Sequence, residues 1–475
     1  MDLNKFLYKL TNLFVLTVAL WGCSAGRHYK QPDVGIPQAY EATGSAPDSN
    51  LASKPWREFF SDTILIKLLD QALKNNFDLQ LAIKRVDIYQ SFAKQARLAW
   101  LPALQLQASA STVNPSQNSL NGISLSSFLG ANHIEDYTLG ANLSWEIDVW
   151  GKIRRRKEAA LADYLESYEA RNAVKTGVIS QVADAYYNLL MMDAQLVIAQ
   201  RNVQLTDSIV RIIELEKTAG EVTSLAVEQA EAQNQTSELL VQQLEQAITL
   251  QENALQLLSG EWPGGVVRNN VLYTLVTDDS FSTGIPAALL RFRPDVRASE
   301  QSLIAANARV GVAQAELYPS LSLSASGGLN AYLSSEWFTA PASLFGIVAG
   351  NITQPLFQRR ALKTRLEVAK AEREQRVIEF RRSVTVAVHD VTNALVRLNK
   401  LQAQQQIASV RVRTLEQAVN NAQLLFASGL ADYLEVITAQ RSALDAELEK
   451  AIITRQQLSA HVELYRSLGG GRFEE

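Results

Sequence analysis

Apolar residues recur at alternating steps of four and three positions through two long stretches of the chain. This spacing places them on one stripe of a helix and predicts left-handed coiled-coil packing. No proline interrupts the chain between Gly151 and Pro263 or after Pro355, so both stretches predict very long helices. A helix over about 153–218 would span on the order of 100 Å, which is too long for a compact globule. The stripe residues are Val178, Val182, Ala185, Leu189, Met192, Leu196, Ala199 and Val203, then Val384, Val388, Val391, Leu395 and Leu398.

Four shorter segments between the helical stretches alternate apolar and polar residues. Three alternate strictly, at 104–111, 139–149 and 321–326, and a fourth at about 344–353 alternates less cleanly. Segments of about 10 residues with one apolar and one polar face are typical of membrane strands. A half-buried soluble sheet produces the same alternation, so the pattern alone leaves both interpretations open.

The chain is internally duplicated. Pro102 matches Pro319 within similar segments, and Gly220 matches Gly429. The offsets are a little over 200 residues, which is too long a period for a solenoid repeat. Each half has the same predicted order: a helix, an X-Pro break, a strand pair, a very long helix, a glycine break and a second long helix. The sequence therefore predicts a gene duplication with pseudo-symmetry.

The number of strands limits how such a sheet can close. Small membrane barrels need about eight strands or more, and each chain supplies four. An open sheet edge is prohibitive in lipid, because its backbone N–H and C=O groups find no partner there. If these strands cross a membrane, the barrel must be shared between copies, and a trimer would supply about 12 strands.

The N-terminus carries a targeting signal. Two lysines precede an apolar stretch at 10–21, which is typical of a signal peptide. The stretch runs into Gly22-Cys23, which resembles a bacterial lipoprotein signal, although Trp21 departs from the usual pattern. We therefore expect Cys23, the only cysteine, to be the lipid-attachment residue, and Ser24 to favour outer-membrane sorting. An ordinary signal peptide with an incidental cysteine is the alternative.

Composition narrows the function further. A net charge of −4 with 20% charged residues gives no concentrated basic face for nucleic acid. The histidines lack metal-ligand spacing, and neither a phosphate-binding loop nor a nucleophile elbow is present. We therefore expect no enzymatic activity, no cofactor and no metal. The histidines are His28, His133, His389 and His461.

Several motifs together resemble one known family. The stretch 293–300 reads Arg-Pro-Asp-Val-Arg-Ala-Ser-Glu and continues through 311–319 to a glycine pair at 327–328. Residues 148–152 fit a strand-to-helix junction in the same family. Together they resemble the OprM/NodT-type lipoprotein branch of the TolC-like outer-membrane efflux protein family. The resemblance extends over nearly the whole mature chain.

The resemblance implies a mainly α fold with a β membrane segment. Each duplicated half would give a helix, two strands and a long helix hairpin to a trimeric 12-stranded β-barrel with a periplasmic α-helical barrel. It also implies a bacterial outer-membrane location, and docking to a periplasmic adaptor protein and an inner-membrane pump, commonly of the resistance-nodulation-division type. The expected function is a passive exit duct for small molecules such as drugs or toxic compounds. The alternatives are an exit channel for protein or peptide secretion and a structural periplasmic coiled-coil lipoprotein.

Two glycine breaks predict helix-turn-helix tips. Gly220 and Gly429 permit the positive φ that ends a helix. Thr223 or Asp432 could cap the helix that follows. In the resembled family such tips contact the adaptor, so the two glycines, Thr223 and Ser428 are the candidate contact residues. A plain hairpin without a contact role is the alternative.

The resemblance also places a periplasmic gate beside the second tip. Leu434 corresponds to an apolar constriction, and Thr438 stands where an aspartate often forms a ring at the entrance. Leu425 and Phe426 replace an Arg-Tyr pair that is often tied to closed-state salt bridges. An acidic, cation-binding ring at Thr438 is therefore not available, and closure is expected to rest mainly on Leu434. Asp432 would supply negative charge nearby or cap a helix.

Other charged and polar segments carry weaker expectations. Arg211 with Glu214 or Glu216 could form closing ion pairs before the first tip, although such charges are more often a solvated helix face. The loops at 112–137 and 330–343 are expected to be extracellular.

The predicted domains are a signal peptide at 1–22, a lipidated segment at 23–60, a first efflux repeat at 61–262, a linker at 263–287, a second efflux repeat at 288–468 and a tail at 469–475.

Overall fold

The computed structural model describes residues 25–37, 54–268, 272–275 and 289–471. Cys23 and much of the predicted linker lie outside these ranges. None of the described helices is both long and apolar enough to cross a membrane. The elements are α1 (Trp56–Phe59), α2 (Thr63–Asn75), α3 (Phe77–Leu98), β1 (Ala103–Val113), α4 (Leu120–Leu129), β2 (Ile134–Ile147), α5 (Lys152–Ala219), α6 (Ser224–Leu258), α7 (Leu289–Phe292), α8 (Pro294–Ala315), β3 (Ser320–Ala331), β4 (Leu344–Thr353), α9 (Ala361–Ala427) and α10 (Tyr433–Ser467), with 3-10 turns at Leu272–Thr274 and Ser334–Glu336.

Long helix pairs follow both strand pairs, as the duplication predicts. α5 has 68 residues and α9 has 67, and their partners α6 and α10 have 35 each. Every stripe residue predicted in α5 and α9 is buried or half-buried. The predicted order within each half, from helix through strand pair to long hairpin, is therefore confirmed.

The four strands form one antiparallel sheet in the order β1-β2-β3-β4. Because the strands pair in register, one face of the sheet is apolar across all four, as the row Leu104, Leu143, Ala325 and Val348 shows. The opposite face carries glutamine and serine on β1 and serine on β3. On β4 the same face carries Phe345, which explains why the alternation of the fourth strand is less clean.

The predicted strand positions are confirmed, although β1 (Ala103–Val113) and β3 (Ser320–Ala331) extend beyond the predicted 104–111 and 321–326. β4 has the predicted bounds, whereas β2 begins earlier than predicted, at Ile134, and ends at Ile147. β2 ends there because Asp148 begins the next helix. Its carboxylate accepts hydrogen bonds from the N–H groups of Ile153 and Arg154, each at 2.9 Å.

The prediction that 112–137 is a loop was wrong in part. Residues 120–129 of this segment form α4. The helix begins where the Ser119 hydroxyl accepts a hydrogen bond from the N–H of Gly122 at 3.1 Å. The loop at 330–343 packs back on the sheet, since the rings of Trp337 and Tyr137 lie 5.4 Å apart.

The described chain divides into two compact units by its internal contacts. The first unit contains the sheet together with the helix ends that join it. The second unit contains the long hairpins and the largest apolar core. The first unit comprises the described residues up to Pro32, Asp87–Leu165 and Gln301–Ile378; the second comprises Asp33–Val86, Glu166–Glu300 and the described residues from Glu379 onward.

The core of the second unit gathers α1, α2, α5 and α10. Trp56, Leu65 and Tyr465 are among its fully buried side chains. Asp62 begins α2 by accepting a hydrogen bond from the N–H of Ile64 at 2.8 Å, and it also accepts one from the Tyr186 hydroxyl at 2.7 Å. The first turn of α2 is thereby fixed to the long helix α5.

A buried arginine joins three segments of the second unit. Arg293 precedes α8, and its side chain is only 8% exposed. It forms two hydrogen bonds to Asp295, at 2.9 and 2.5 Å, and one to Asp390 of α9 at 2.9 Å. It also donates to the carbonyl oxygen of Ser467, at the end of α10. The Arg-Pro-Asp motif therefore has a structural role in this unit.

Candidate functional site

Both predicted glycine tips are confirmed as helix-turn-helix connections. Gly220 has φ of 82° and Gly429 has φ of 71°, so both lie in the left-handed region. The N–H of each glycine donates to the carbonyl three residues back, and the next N–H donates to the carbonyl five residues back. This is the Schellman termination of a helix. A Cβ at either glycine would meet no atom within 4 Å, so backbone conformation, and not crowding, requires glycine here.

The capping expected of Thr223 and Asp432 is not found. Both residues occupy the extended N-cap position, of α6 and α10 respectively, but neither side chain accepts a hydrogen bond from the helix. Both side chains are exposed, so water can satisfy the first N–H groups of each helix. Ser428 uses its hydroxyl to donate to the carbonyl oxygens of Leu424 (2.8 Å) and Leu425 (3.0 Å).

Asp432 is expected from the sequence either to cap a helix or to supply negative charge near the gate, and the missing cap bond favours the second role. Asp432→Ala is expected to change the free energy of unfolding by no more than about 0.5 kcal/mol, because no cap bond is lost. Asp62→Ala is the comparison and is expected to cost more than about 1 kcal/mol, since it loses both a cap bond and the hydrogen bond from the Tyr186 hydroxyl. Urea unfolding followed by circular dichroism measures both. A loss of 1 kcal/mol or more in Asp432→Ala would show that it caps α10.

An apolar cluster lies just behind the tips. Ile213 of α5, Val227 of α6 and Val436 of α10 are among its buried members. Phe426 packs against it from α9, so this position contributes apolar packing where the resembled family often has a polar pair. The Tyr433 hydroxyl also donates a hydrogen bond to the side chain of Gln229. The two hairpins are therefore joined near their tips.

The proposed gate residues share the outer surface of α10. Leu434 and Thr438 are one turn apart on the same helix face, and both are exposed in the single chain. The Thr438 hydroxyl donates to the carbonyl oxygen of Leu434 at 2.7 Å. This bond uses the hydroxyl proton, and the Thr438 side chain, which carries no charge, lies beside Leu434. Leu430 in the turn is also exposed. The surface at the second tip therefore exposes the apolar side chains of Leu430 and Leu434 beside the charged side chains of Asp432 and Glu435.

The ion pair expected for Arg211 is different in the structure. Arg211 pairs with Asp207, one turn earlier on the same helix, at 2.8 Å, and not with Glu214 or Glu216. Residues four apart lie on one face of a helix, whereas Glu216 is five residues away and points elsewhere. This pair lies within α5 alone, so it joins no second helix at the tip.

Charged contacts do join the hairpins beside a cavity. A cavity of about 340 Å³ lies between α5, α9 and α10. At its wall Arg201 of α5 forms an ion pair with Glu447 of α10. Burial raises the pKa of Glu447, and the nearby Glu416 of α9 raises it further, against the lowering effect of Arg201. This ion pair therefore links α10 to α5 at the wall of the cavity.

The segment that follows Cys23 is held at a strand-to-helix junction of the first unit. Arg155, near the start of α5, has a side chain that is only 3% exposed. It donates to the carbonyl oxygens of Ala25 and Gly26, each at 3.2 Å. The N–H of Ala25 donates to the carbonyl oxygen of Trp150 at 3.0 Å. Sequence reasoning missed Arg155; the only signal was its place in a run of three arginines after 148–152.

The histidines within the described ranges do not form a site. His389 is exposed on α9, and His461 is buried on α10. Among the described residues, no group of three or more His, Cys, Asp and Glu side chains is placed to hold a metal ion.

The fold and the two tips define a duplicated, mainly helical protein with one four-stranded sheet that has an apolar face. The family model for outer membrane efflux proteins matches residues 68–261 and 285–470, and the chain belongs to this family. Each of the two matched ranges corresponds to a different half of the duplication. The predicted family and fold class are therefore confirmed.

Relatives and solved structures agree over nearly the full length. The solvent efflux pump outer membrane protein SrpC of Pseudomonas putida is 29% identical over 474 residues, which are 98% of each chain. The probable outer membrane lipoprotein SilC of Salmonella typhimurium is 26% identical, over 98% of this chain and all of SilC. The structure of the outer-membrane channel OprN superposes with a TM-score of 0.86 at 27% identity, over 95% of this chain and 100% of OprN. The chain is an outer-membrane channel protein of the efflux type.

Proposed function

We propose that this chain is the exit duct of a tripartite efflux system and conducts its cargo passively, without catalysis. The observation that carries this proposal is the pair of glycine tips at the ends of the long hairpins, which leaves Leu434 exposed in a protein of the efflux family. A duct needs an opening that closes, and an exposed apolar ring shared between copies would provide one. Three copies are the proposed assembly, because four strands in each would give a closed set of about 12.

Closure of the duct is proposed to rest on apolar packing. Leu434 from each copy would meet its equivalents on the axis, while Thr438 adds no charge to the ring. The charged residues nearest to Leu434 in the sequence are Glu435 and Asp432. Opening would move α9 and α10 against α5 and α6, as an iris-like change between two packed arrangements. The Arg201–Glu447 ion pair is proposed to resist this movement.

The partners are proposed from the tips. Gly220, Thr223, Ser428 and Gly429 are all exposed, and the turns that they form present backbone and small side chains. A periplasmic adaptor protein would bind this surface and hold the open arrangement, with an inner-membrane pump of the resistance-nodulation-division type behind it. The adaptor supplies the differential affinity that shifts the gate, since a ligand moves an equilibrium only by binding one state better.

The cargo is proposed to be small toxic molecules. SrpC belongs to a solvent efflux pump, and apolar organic compounds are therefore the first class to test.

The protein is also proposed to be acylated at Cys23. The hydrogen bonds of Arg155 to Ala25 and Gly26 support this proposal, because they fix the chain that immediately follows the anchor to the sheet-bearing unit.

Gene deletion tests the proposed function. A strain without this chain is expected to become several-fold more susceptible to solvents and apolar antibiotics, and the full-length gene is expected to restore resistance. Cysteines placed at Thr223 and Ser428 should crosslink to a periplasmic adaptor in cells, whereas a cysteine at the exposed Leu250 of α6 serves as the control. Unchanged susceptibility to every compound, with no adaptor crosslink, would contradict the proposal.

A further inference from the structure

A cavity of about 710 Å³ opens where the chain passes from β4 into α9. Part of its lining is apolar, and two of these side chains, Leu356 and Phe357, are 90% and 92% exposed in the single chain. The side chains of Arg360 and Lys363 add two positive charges to the wall. The cavity therefore combines an apolar surface with cationic groups.

The first half of the duplication contains the equivalent junction, between β2 and α5. The offset of 209 positions that relates the two glycine tips also relates the turns before α5 and α9. In the first turn, the N–H of Arg155 donates to the carbonyl oxygen of Gly151 at 2.9 Å. In the second, the N–H of Thr364 donates to the carbonyl oxygen of Arg360 at 3.0 Å. The two junctions can therefore be compared residue by residue.

An anionic group occupies the start of the helix in the first half only. The carboxylate of Asp148 accepts hydrogen bonds from the N–H groups of Ile153 and Arg154, each at 2.9 Å. The equivalent positions of the second half are, in the same order, Phe357, Leu362 and Lys363. The phenylalanine side chain has no acceptor, and no other described residue accepts a hydrogen bond from the N–H of Leu362 or Lys363. The start of α9 therefore lacks the anion that the start of α5 has.

An aromatic side chain closes the first junction, and its equivalent in the second is an arginine. Trp150 packs on Tyr318 with ring centroids 4.9 Å apart, and its indole N–H donates to the carbonyl oxygen of Pro319 at 2.7 Å. The residue 209 positions later is Arg359, whose side chain is exposed. The second junction thus has a further positive charge where the first has a packed ring.

The backbone of this second junction is strained. Arg359 and Arg360 have φ of 48° and 68°, and among the described residues they alone enter the left-handed region without being glycine. Gly151 adopts the same conformation, with φ of 78°, and has no side chain to oppose it. Positive charge at the start of a helix is also disfavoured by the helix dipole. Because glycines would avoid both costs, the two arginines indicate a role for their charge.

The charge distribution along the chain singles out the same end of the sheet. No lysine or arginine occurs at 98–151 or at 310–358, the ranges that contain all four strands. Five basic residues then follow at 152–157 and four at 359–365. Positive charge is therefore concentrated where the strands continue into the long helices. Basic clusters beside a membrane-crossing segment are typical of contact with anionic lipid headgroups.

We propose that the cavity binds the phosphate group of an anionic phospholipid, in the position that a carboxylate takes in the first half. The N–H groups of Leu362 and Lys363 would donate to the phosphate oxygens, and the side chains of Arg360 and Lys363 would balance its charge. The exposed Leu356 and Phe357 would lie against the acyl chains. This inference rests on the proposed duct, in which the apolar face of the sheet contacts lipid.

One carboxylate on the cavity wall already contacts Arg360. Glu367 pairs with it at 2.9 Å, and the side chains of Arg360 and Glu367 are 68% and 60% exposed. An ion pair this exposed contributes little to stability, so a phosphate can compete for the arginine. No described residue forms an ion pair with Lys363. The wall therefore keeps a net positive charge for an anionic ligand.

Lipid binding to the purified, full-length protein tests the site. Native mass spectrometry from a non-ionic detergent counts the molecules of dioleoylphosphatidylglycerol that each copy retains. Dioleoylglycerol has the same acyl chains without the phosphate, and we expect at least fivefold weaker retention of it. Inorganic phosphate at the same concentration as the lipid is expected to displace none of it. Complete displacement by inorganic phosphate would show that the ligand is free phosphate and would overturn the lipid assignment.

Phe357→Asp gives the second junction the carboxylate of the first. This carboxylate should cap α9 and occupy the phosphate position, so retention of phosphatidylglycerol is expected to fall at least fivefold. The midpoint of thermal unfolding should stay the same or rise, which separates loss of the site from loss of the fold. Phe357→Leu is the matched control and should retain the lipid as the wild type does.

Two further variants remove positive charge from the wall. Lys363→Gln is expected to lower retention about fivefold, the factor that corresponds to one basic residue at an anionic lipid surface. Lys370→Gln is its matched control, because Lys370 is exposed on α9 two turns later. Arg360→Gly should lower retention to a similar extent without lowering the unfolding midpoint, because glycine relieves the left-handed φ.

Equal retention by the wild type, Phe357→Asp and Lys363→Gln would overturn the lipid site. A wild type that retains no phosphatidylglycerol, as expected if a second copy of the chain covers the cavity, would overturn it as well. In either case, trimers that conduct ions in the same preparations would leave the duct proposal standing. Preparations without multimers or conductance would instead overturn the duct, and the lipid site with it.

Discussion

Arg293→Met is expected to lower the free energy of unfolding by about 2–4 kcal/mol, the largest stability loss that we predict for a single substitution. Breaking a buried ion pair costs about 3–5 kcal/mol because it leaves charge without its partner. We expect a loss of about 2–4 kcal/mol, lower than this range, because the side chains of Asp295 and Asp390 are 44% and 34% exposed. The carbonyl oxygen of Ser467 loses a hydrogen bond in the same variant.

Urea unfolding of the detergent-solubilised protein, followed by circular dichroism at helix wavelengths, measures this loss. Arg397→Met is the matched control, because Arg397 pairs with Glu463 on the surface and its side chain is 56% exposed. Its expected cost is at most about 1 kcal/mol. Equal losses in the two variants would contradict the structural role assigned to the Arg-Pro-Asp motif.

The Arg293 effect has a defined pH dependence. Burial alone would raise the pKa of Asp295, but the hydrogen bond and charge of Arg293 outweigh it and hold this pKa below its usual value. A carboxyl group with a lowered folded-state pKa contributes stability above its unfolded-state pKa and loses it as the pH falls through the folded-state value. The difference between wild type and Arg293→Met is therefore expected to be full at neutral pH and to shrink under acidic conditions.

Leu434→Ala is expected to make the outer membrane leaky to large antibiotics such as vancomycin. Covering a leucine side chain contributes about 1.5–3 kcal/mol, so its loss from a closed ring favours the open arrangement by about tenfold or more for each copy. The minimum inhibitory concentration of vancomycin should therefore fall several-fold in cells that produce this variant.

Leu225→Ala is the matched control for the gate. Leu225 lies 209 positions before Leu434, at the first tip, and both side chains are 57% exposed in the single chain. Only Leu434 is proposed to form the constriction, so Leu225→Ala should leave susceptibility unchanged. If the two variants behave alike, or if Leu434→Ala has no effect at normal protein levels, Leu434 is not the gate.

The fold could be predicted from the sequence where a pattern repeats over many residues. The stripe from Val178 to Val203 fixes the long helix, because only one face of a coiled coil is covered. The strict alternation after Pro102 fixes a strand and its apolar face. The duplication then doubled each of these signals and gave the order of the elements.

Local contacts could not be predicted in the same way. α4 begins at Ser119 within a serine-rich segment, where single capping bonds are not visible as a pattern. Thr223 and Asp432 have the residue types of helix caps, yet their side chains make no cap bond, because exposed N–H groups can use water. Arg155 donates a hydrogen bond to the carbonyl oxygen of Ala25, which lies 130 positions earlier in the sequence. No periodic pattern in the sequence predicts such a contact.

Conductance of the purified, full-length protein across a planar lipid bilayer tests the central claim most directly. We expect a trimer in detergent that inserts spontaneously and gives small, rare openings, with a larger and more persistent conductance when Leu434→Ala replaces the wild type. A monomeric protein that gives no conductance in either form would contradict it.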